Sequence, residues 1–228
     1  MAEERANPPF EQFPAVNVRI RFESPRRTGA SRRDGCSERG SGARRESPAM
    51  ARLLVLACSA TKRPDHDRIP ALARYDGPLW RTLRAADPDG RCAKVAFLSA
   101  HYGFRDAATP IADYDARLTQ DLAERMIASG VTTRWPRPPS PRRPDTYGIH
   151  AGAEIAGLTR YGAKPFQEIA LVGGRLYVDV MHALVRGFVE MGCVRREARV
   201  SVINWPIGRM RQDLRAWLAA APARGDQP

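Results

Sequence analysis

Residues 53–62 read LLVLACSATK. Five apolar residues run without a polar break, and the chain then meets a cysteine, a serine, a threonine and one of its only three lysines. An uninterrupted apolar run of this length fits a strand buried on both faces of a parallel sheet, because a strand with one wet face would alternate. Such sheets bind ligands beyond the carboxyl ends of their strands, so the abrupt change at Cys58 marks the floor of a candidate site.

Outward from this strand the pattern repeats. Arg52 to Ala57 reads as a strand, Pro78 to Ala86 as a helix with Leu79, Thr82 and Leu83 on one face, and Ala93 to Leu98 as a second strand. Residues 115–128 place Leu118, Leu122 and Met126 at helical spacing, with Asp113 or Asp115 available as the cap. Residues 148–158 read as a further helix, and Glu168 to Val172 as a buried strand. Leu176 to Val189 reads as a helix with a wide apolar stripe, and Arg199 to Ile203 as a strand. A last helix carries Met210, Leu214, Trp217 and Leu218. Strands that alternate with helices predict an α/β fold: an open, mainly parallel sheet of about four strands with helices on both faces, in a single domain.

The boundaries follow from composition. Residues 1–49 mix Pro, Arg, Ser, Gly and Glu without helical or strand period, which predicts a disordered basic tail. Ordered structure is expected from Met50, which also reads as the true initiator if the tail is an over-extended start. The domain spans 50–222, and 223–228 form a disordered end. RWPRPPSPRRPD at 134–145 carries five prolines and four arginines, the body of a Pro/Arg-rich surface loop placed at 134–146.

The formal charge is +12. The tail contributes ten Arg and seven acidic residues, so the rest still carries about +9, a field that attracts nucleotides or nucleic acid unless it reflects composition alone. No run approaches the roughly 18 to 20 apolar residues of a membrane span, so no membrane partner is expected. Cys36, Cys58, Cys92 and Cys193 show neither a CxxC pair nor zinc-finger spacing, and the N-terminus lacks a signal-peptide core; the reading is a cytoplasmic protein with reduced thiols.

The ends of the four strands are chemically loaded. Cys58, Ser59, Thr61 and Lys62 follow the first, and Ser99, His101, Tyr102 and Gly103 the second. Gly173, Gly174 and Arg175 follow the third, with Tyr177 just inside the next helix, and Asn204 follows the fourth. Asp113, Tyr114 and Asp115 are expected on the rim. In this reading Ser59, Thr61 and Lys62 hold an anionic group, the Ser99 and His101 loop orients or protonates a reacting atom, and Asp113 or Asp115 supplies a carboxylate. Cys58 is a candidate nucleophile if Lys62 or His101 lowers its pKa, and otherwise a small packed residue. ACSATKR lacks the glycines of a P-loop, and Ser59 to Lys62 spells SxxK without the partner motifs that the spelling requires. Asp65, His66 and Asp67 are adjacent and do not face one point, so no metal site is expected, and no cofactor is indicated.

In order, LACSATK, RYDGPLW, LSAHYGF, DYD, LVGGRLYVDV and PIGRMRQDL resemble the signature of an uncharacterised bacterial domain family (CSxTK, LYxSxLF, LSAxYGL, YD, a glycine before an aromatic-led helix, GIGxxxxWL) over most of residues 52–218. LSAHYGF is also similar, more distantly, to a segment of the YaaA peroxide-stress proteins, and CSATK to a motif in the core of archaeosine synthase, which modifies tRNA. His101, Phe104 and the Lys62-Arg63-Pro64 continuation depart from those patterns. The resemblance implies contact with nucleic acid and fixes no activity. The expectation is therefore a domain that binds or acts on nucleotides, modified bases or nucleic acid at its strand ends, with a non-catalytic nucleic-acid-binding or stress-response module as the alternative.

Overall fold

The computed structural model describes residues 52–136, 148–159 and 164–220. The expected tail at 1–49, most of the Pro/Arg-rich loop and the C-terminal 223–228 lie outside the described residues. The elements run β1 (Arg52–Ala57), β2 (Ile69–Pro70), α1 (Ala71–Arg74), α2 (Pro78–Ala86), β3 (Lys94–Ser99), β4 (Gly103–Asp106), β5 (Pro110–Ile111) and α3 (Gln120–Ser129). They continue with β6 (Arg134–Trp135), β7 (Ile149–His150), α4 (Ala151–Leu158), β8 (Phe166–Val172), α5 (Arg175–Glu190), β9 (Val194–Ile203) and α6 (Ile207–Ala219).

The main sheet has five strands in the order β4-β3-β1-β8-β9. β1 pairs in parallel with β3 on one side and β8 on the other, and β8 with β9. As the central strand it is buried along all six residues, which is why it reads as an unbroken apolar run. Leu53, Val55 and Ala57 face one core layer, shared with α3, α4 and α5. Leu54 and Leu56 face the other, shared with α1, α2 and α6. The expected α/β architecture, with helices on both faces, is the one observed.

Three readings need correction. The sheet has a fifth strand: after Ser99 the chain turns through three residues and returns antiparallel as β4, in register Ser99↔Gly103. Its sequence, GFRD, hides the strand because Arg105 looks like a surface residue. It is in fact buried and donates to the carbonyls of Phe104, Ile149 and Trp135, with Glu154 3.7 Å from its Nε. Second, the helix expected over 115–128 begins only at Gln120. Its cap is Thr119, whose hydroxyl accepts from the Leu122 amide at 3.3 Å, rather than Asp113 or Asp115. Third, Arg134 and Trp135, placed in the loop by sequence, form β6 and pair with β7. Trp135 lies over Gly103, where an added Cβ would come within 2.7 Å of the Trp135 Cβ and where φ is +67°. Gly103 is therefore a position at which the turn and the Trp135 side chain require glycine.

Candidate functional site

β1 and β3 end side by side, and the ladder continues one residue further through Cys58 N–H donating to the Leu98 carbonyl at 2.8 Å. The Ala57 carbonyl accepts from Trp80 Nε1 at 3.0 Å, which pins α2 to this end of the sheet. Beyond Cys58 the chain lies against the segment before α2. Asp76 N–H donates to Thr61 O and Arg63 N–H to Arg74 O, with Lys62 bridged to Tyr75. Gly77 permits the approach, since a Cβ there would fall 2.2 Å from the Ser59 Oγ.

The centre of the site is Tyr114. Ser99 Oγ donates to its hydroxyl at 2.8 Å, and the Tyr75 hydroxyl lies 2.6 Å away. Ser99, fully buried, also accepts from the amides of His101 and Tyr102 at 3.0 and 3.1 Å, which shapes the β3–β4 turn. That turn delivers His101 onto the Tyr114 ring, with centroids 5.1 Å apart and planes within 22°. The Lys62 Nζ lies 4.3 Å from the same ring's centroid. Among the described residues no carboxylate pairs with this half-buried amine.

Cys58 meets a second phenol. Its Sγ is 3.2 Å from the Tyr177 hydroxyl, brought there because α5 starts immediately against β1. Gly173 makes that approach possible: a Cβ on it would lie 2.6 Å from the Ala57 Cβ. The thiol's hydrogen-bond partner is thus a tyrosine, not Lys62 or His101 as a cation-activated nucleophile would require. Burial pushes the phenols of Tyr75, Tyr114 and Tyr177 well above the ordinary tyrosine value. Proximity to the Cys58 thiol adds to all three, and proximity to Tyr114 adds to Tyr75. They stay protonated at neutral pH and do not serve as bases. Burial moves His101 the other way, below the ordinary histidine value, so its imidazole is neutral at pH 7.

The structure thus gathers Cys58, Lys62, Ser99, His101, Tyr102, Tyr114 and Tyr177 from the expected residues. Asp113 and Asp115 are exposed on the rim, where Asp113 Oδ1 accepts from the Tyr114 amide at 2.9 Å. Gly174 and Arg175 are exposed at the start of α5. Asn204 is exposed beyond β9, separated from β1 by β8. Two important residues escaped the sequence reading. Tyr75 is fully buried yet supplies a hydroxyl to the centre, and its position just before the Asp76-Gly77-Pro78 turn was the available signal. Arg74, also fully buried, donates to the carbonyls of Arg63, Asp65, Asp67 and Ile111 and so curls the segment after Lys62 into place. That contact organises the Asp65–Asp67 stretch; among the described residues no group of three or more His, Cys, Asp or Glu is placed to hold a metal ion. Nor is any described helix long and apolar enough to cross a membrane.

No family model, no curated protein and no solved structure matches this chain.

Proposed function

We propose that the protein binds a small, planar, anionic molecule of the nucleotide or modified-base class at the C-terminal ends of β1 and β3. The observation that carries this reading is the meeting of Lys62 and His101 on the Tyr114 ring, 4.3 and 5.1 Å from its centroid. A lysine amine without a carboxylate partner suits a phosphate or carboxylate, with the Ser59 and Thr61 hydroxyls nearby in the same loop. Flat side chains next to it suit a heterocycle. Open parallel sheets place ligands at this edge.

The rim favours a small ligand over a nucleic-acid strand, because Asp113 and Asp115 flank Tyr114 and would repel a continuous run of phosphates. The reading stops at binding. Cys58, His101 and Asp113 are the groups that would lie nearest a bound molecule, and no reaction is assigned to them. A thermal-shift panel of mononucleotides, nucleobases, inorganic phosphate and tRNA on the full chain tests it. A nucleotide or base raising the melting temperature in a saturable way is the expected result. A shift with tRNA alone would replace the reading by nucleic-acid binding, and no shift with any member would overturn it.

A further inference from the structure

The segment between β5 and α3 has neither helical nor strand structure over residues 112–119. Its side chains nonetheless alternate. Ala112, Tyr114, Ala116 and Leu118 turn inward, whereas Asp113, Asp115, Arg117 and Thr119 are exposed. Tyr114 packs with the core layer that contains α2 and α6, whereas Ala116 and Leu118 pack with the layer that contains α3, α4 and α5. An extended chain that begins on one face of a sheet and ends on the other must cross an edge. The residues it touches, Ser99 at the end of β3 and Tyr177 at the start of α5, identify that edge as the C-terminal one.

Hydroxyls hold this segment at two points. The Ala112 amide donates to the Tyr102 hydroxyl at 3.2 Å, and Tyr114 is held by Ser99 and Tyr75. Cys58 packs against the same cluster as Tyr114 and has its Sγ 3.2 Å from the Tyr177 hydroxyl, so this half-buried thiol lies beside the crossing. Lys62 rests on Tyr114 itself. A segment fastened by a few side-chain hydroxyls, with no ladder of backbone bonds, opens locally at lower free energy than the strands it covers.

We propose that residues 112–119 form a strap that lifts from the sheet edge as a unit, hinged at β5 and at the Thr119 cap, and that its opening exposes Cys58 and Lys62. The ligand-entry role rests on the binding reading above, but the motion does not. Two measurements on the full chain test it. Native-state hydrogen exchange should show the Ala112 amide, bonded to the Tyr102 hydroxyl, opening at least tenfold more often than the amides of β1, at a rate insensitive to low denaturant. In a Cys36→Ser, Cys92→Ser, Cys193→Ala background, the remaining Cys58, half-buried while the strap is closed, should react with a bulky aromatic disulfide at a rate that rises with strap opening. Tyr114→Phe should accelerate both processes about tenfold while β1 keeps its protection. If the Ala112 amide exchanges only together with β1, or if Cys58 reacts at a rate unrelated to the strap, the proposal fails. Should the cysteine background not fold, exchange on the natural chain alone decides. Strap opening without any ligand-induced slowing would sink the binding reading and leave the motion standing.

Discussion

The two ends of β1 each hold a basic side chain, and they treat it in opposite ways. At the N-terminal end Arg52 is 2% exposed and paired. Its guanidinium lies 3.0 Å from Glu168 Oε2, donates to the carbonyls of Trp217 and Ala220 at 2.5 and 3.1 Å, and stacks 3.9 Å from the Trp217 ring centroid. At the C-terminal end Lys62 has an aromatic ring and no acidic partner among the described residues. A buried cation held by a carboxylate and by backbone carbonyls is a fastening, here of α6 to the sheet. A half-buried cation lacking an anion is what a site for one requires. The contrast marks the N-terminal end as scaffold and agrees with the C-terminal end as the proposed site.

The fastening should be the costliest element to break. Arg52→Ala leaves Glu168 without its partner and strips the carbonyls of Trp217, Ala220 and Cys92 of a donor, with an expected loss of roughly 3 to 5 kcal/mol by chemical denaturation. A loss below about 1 kcal/mol would mean that the N-terminal end is no more structural than the other. Gly103→Ala comes next. It forces an alanine into positive φ and against Trp135, and a loss of about 2 to 4 kcal/mol should follow from the combined backbone and overpacking costs. A near-neutral result would show that the turn before β4 relaxes freely.

The smallest effect concerns pH. His101 and His182 are held below the ordinary histidine value by burial, so the unfolded chain binds their protons more readily than the folded one. Their contribution is complete above the ordinary value of 6.5 and declines as pH falls below it. Glu154 has the opposite sign: burial raises it above 4.5, so its contribution is complete on the acid side and lost as pH rises through the raised value. His101→Gln should therefore narrow the difference in denaturation midpoint between about pH 7.5 and pH 5. An unchanged difference would remove His101 from the buried cluster.

The central sheet was legible because burial on both faces leaves long apolar runs, as in β1 and β8. The loaded strand ends were legible for a related reason: a run that stops abruptly at Cys58 or Ser99 has reached the end of the layer. What stayed hidden was the work of buried polar residues. Arg105 disguised β4, Arg74 resembled an exposed helix end, and Arg52 resembled the solvated start of a strand. The strap was masked by coincidence. Leu118 lies four residues before Leu122, as a helix would place it, yet it belongs to an extended segment whose inward side chains recur every two residues. Period alone cannot separate the two when the apolar positions are so few.

The most direct test is Lys62→Ala, measured twice on one preparation, as the unliganded melting temperature and as the shift produced by whichever nucleotide or base stabilises the natural chain. Loss of an amine that rests on one ring should cost no more than about 1 kcal/mol. The expected result is thus an almost unchanged melting temperature together with an abolished ligand shift. A loss of stability comparable to that of Arg52→Ala, or a ligand shift that survives the substitution, would contradict the assignment of the C-terminal end as the site.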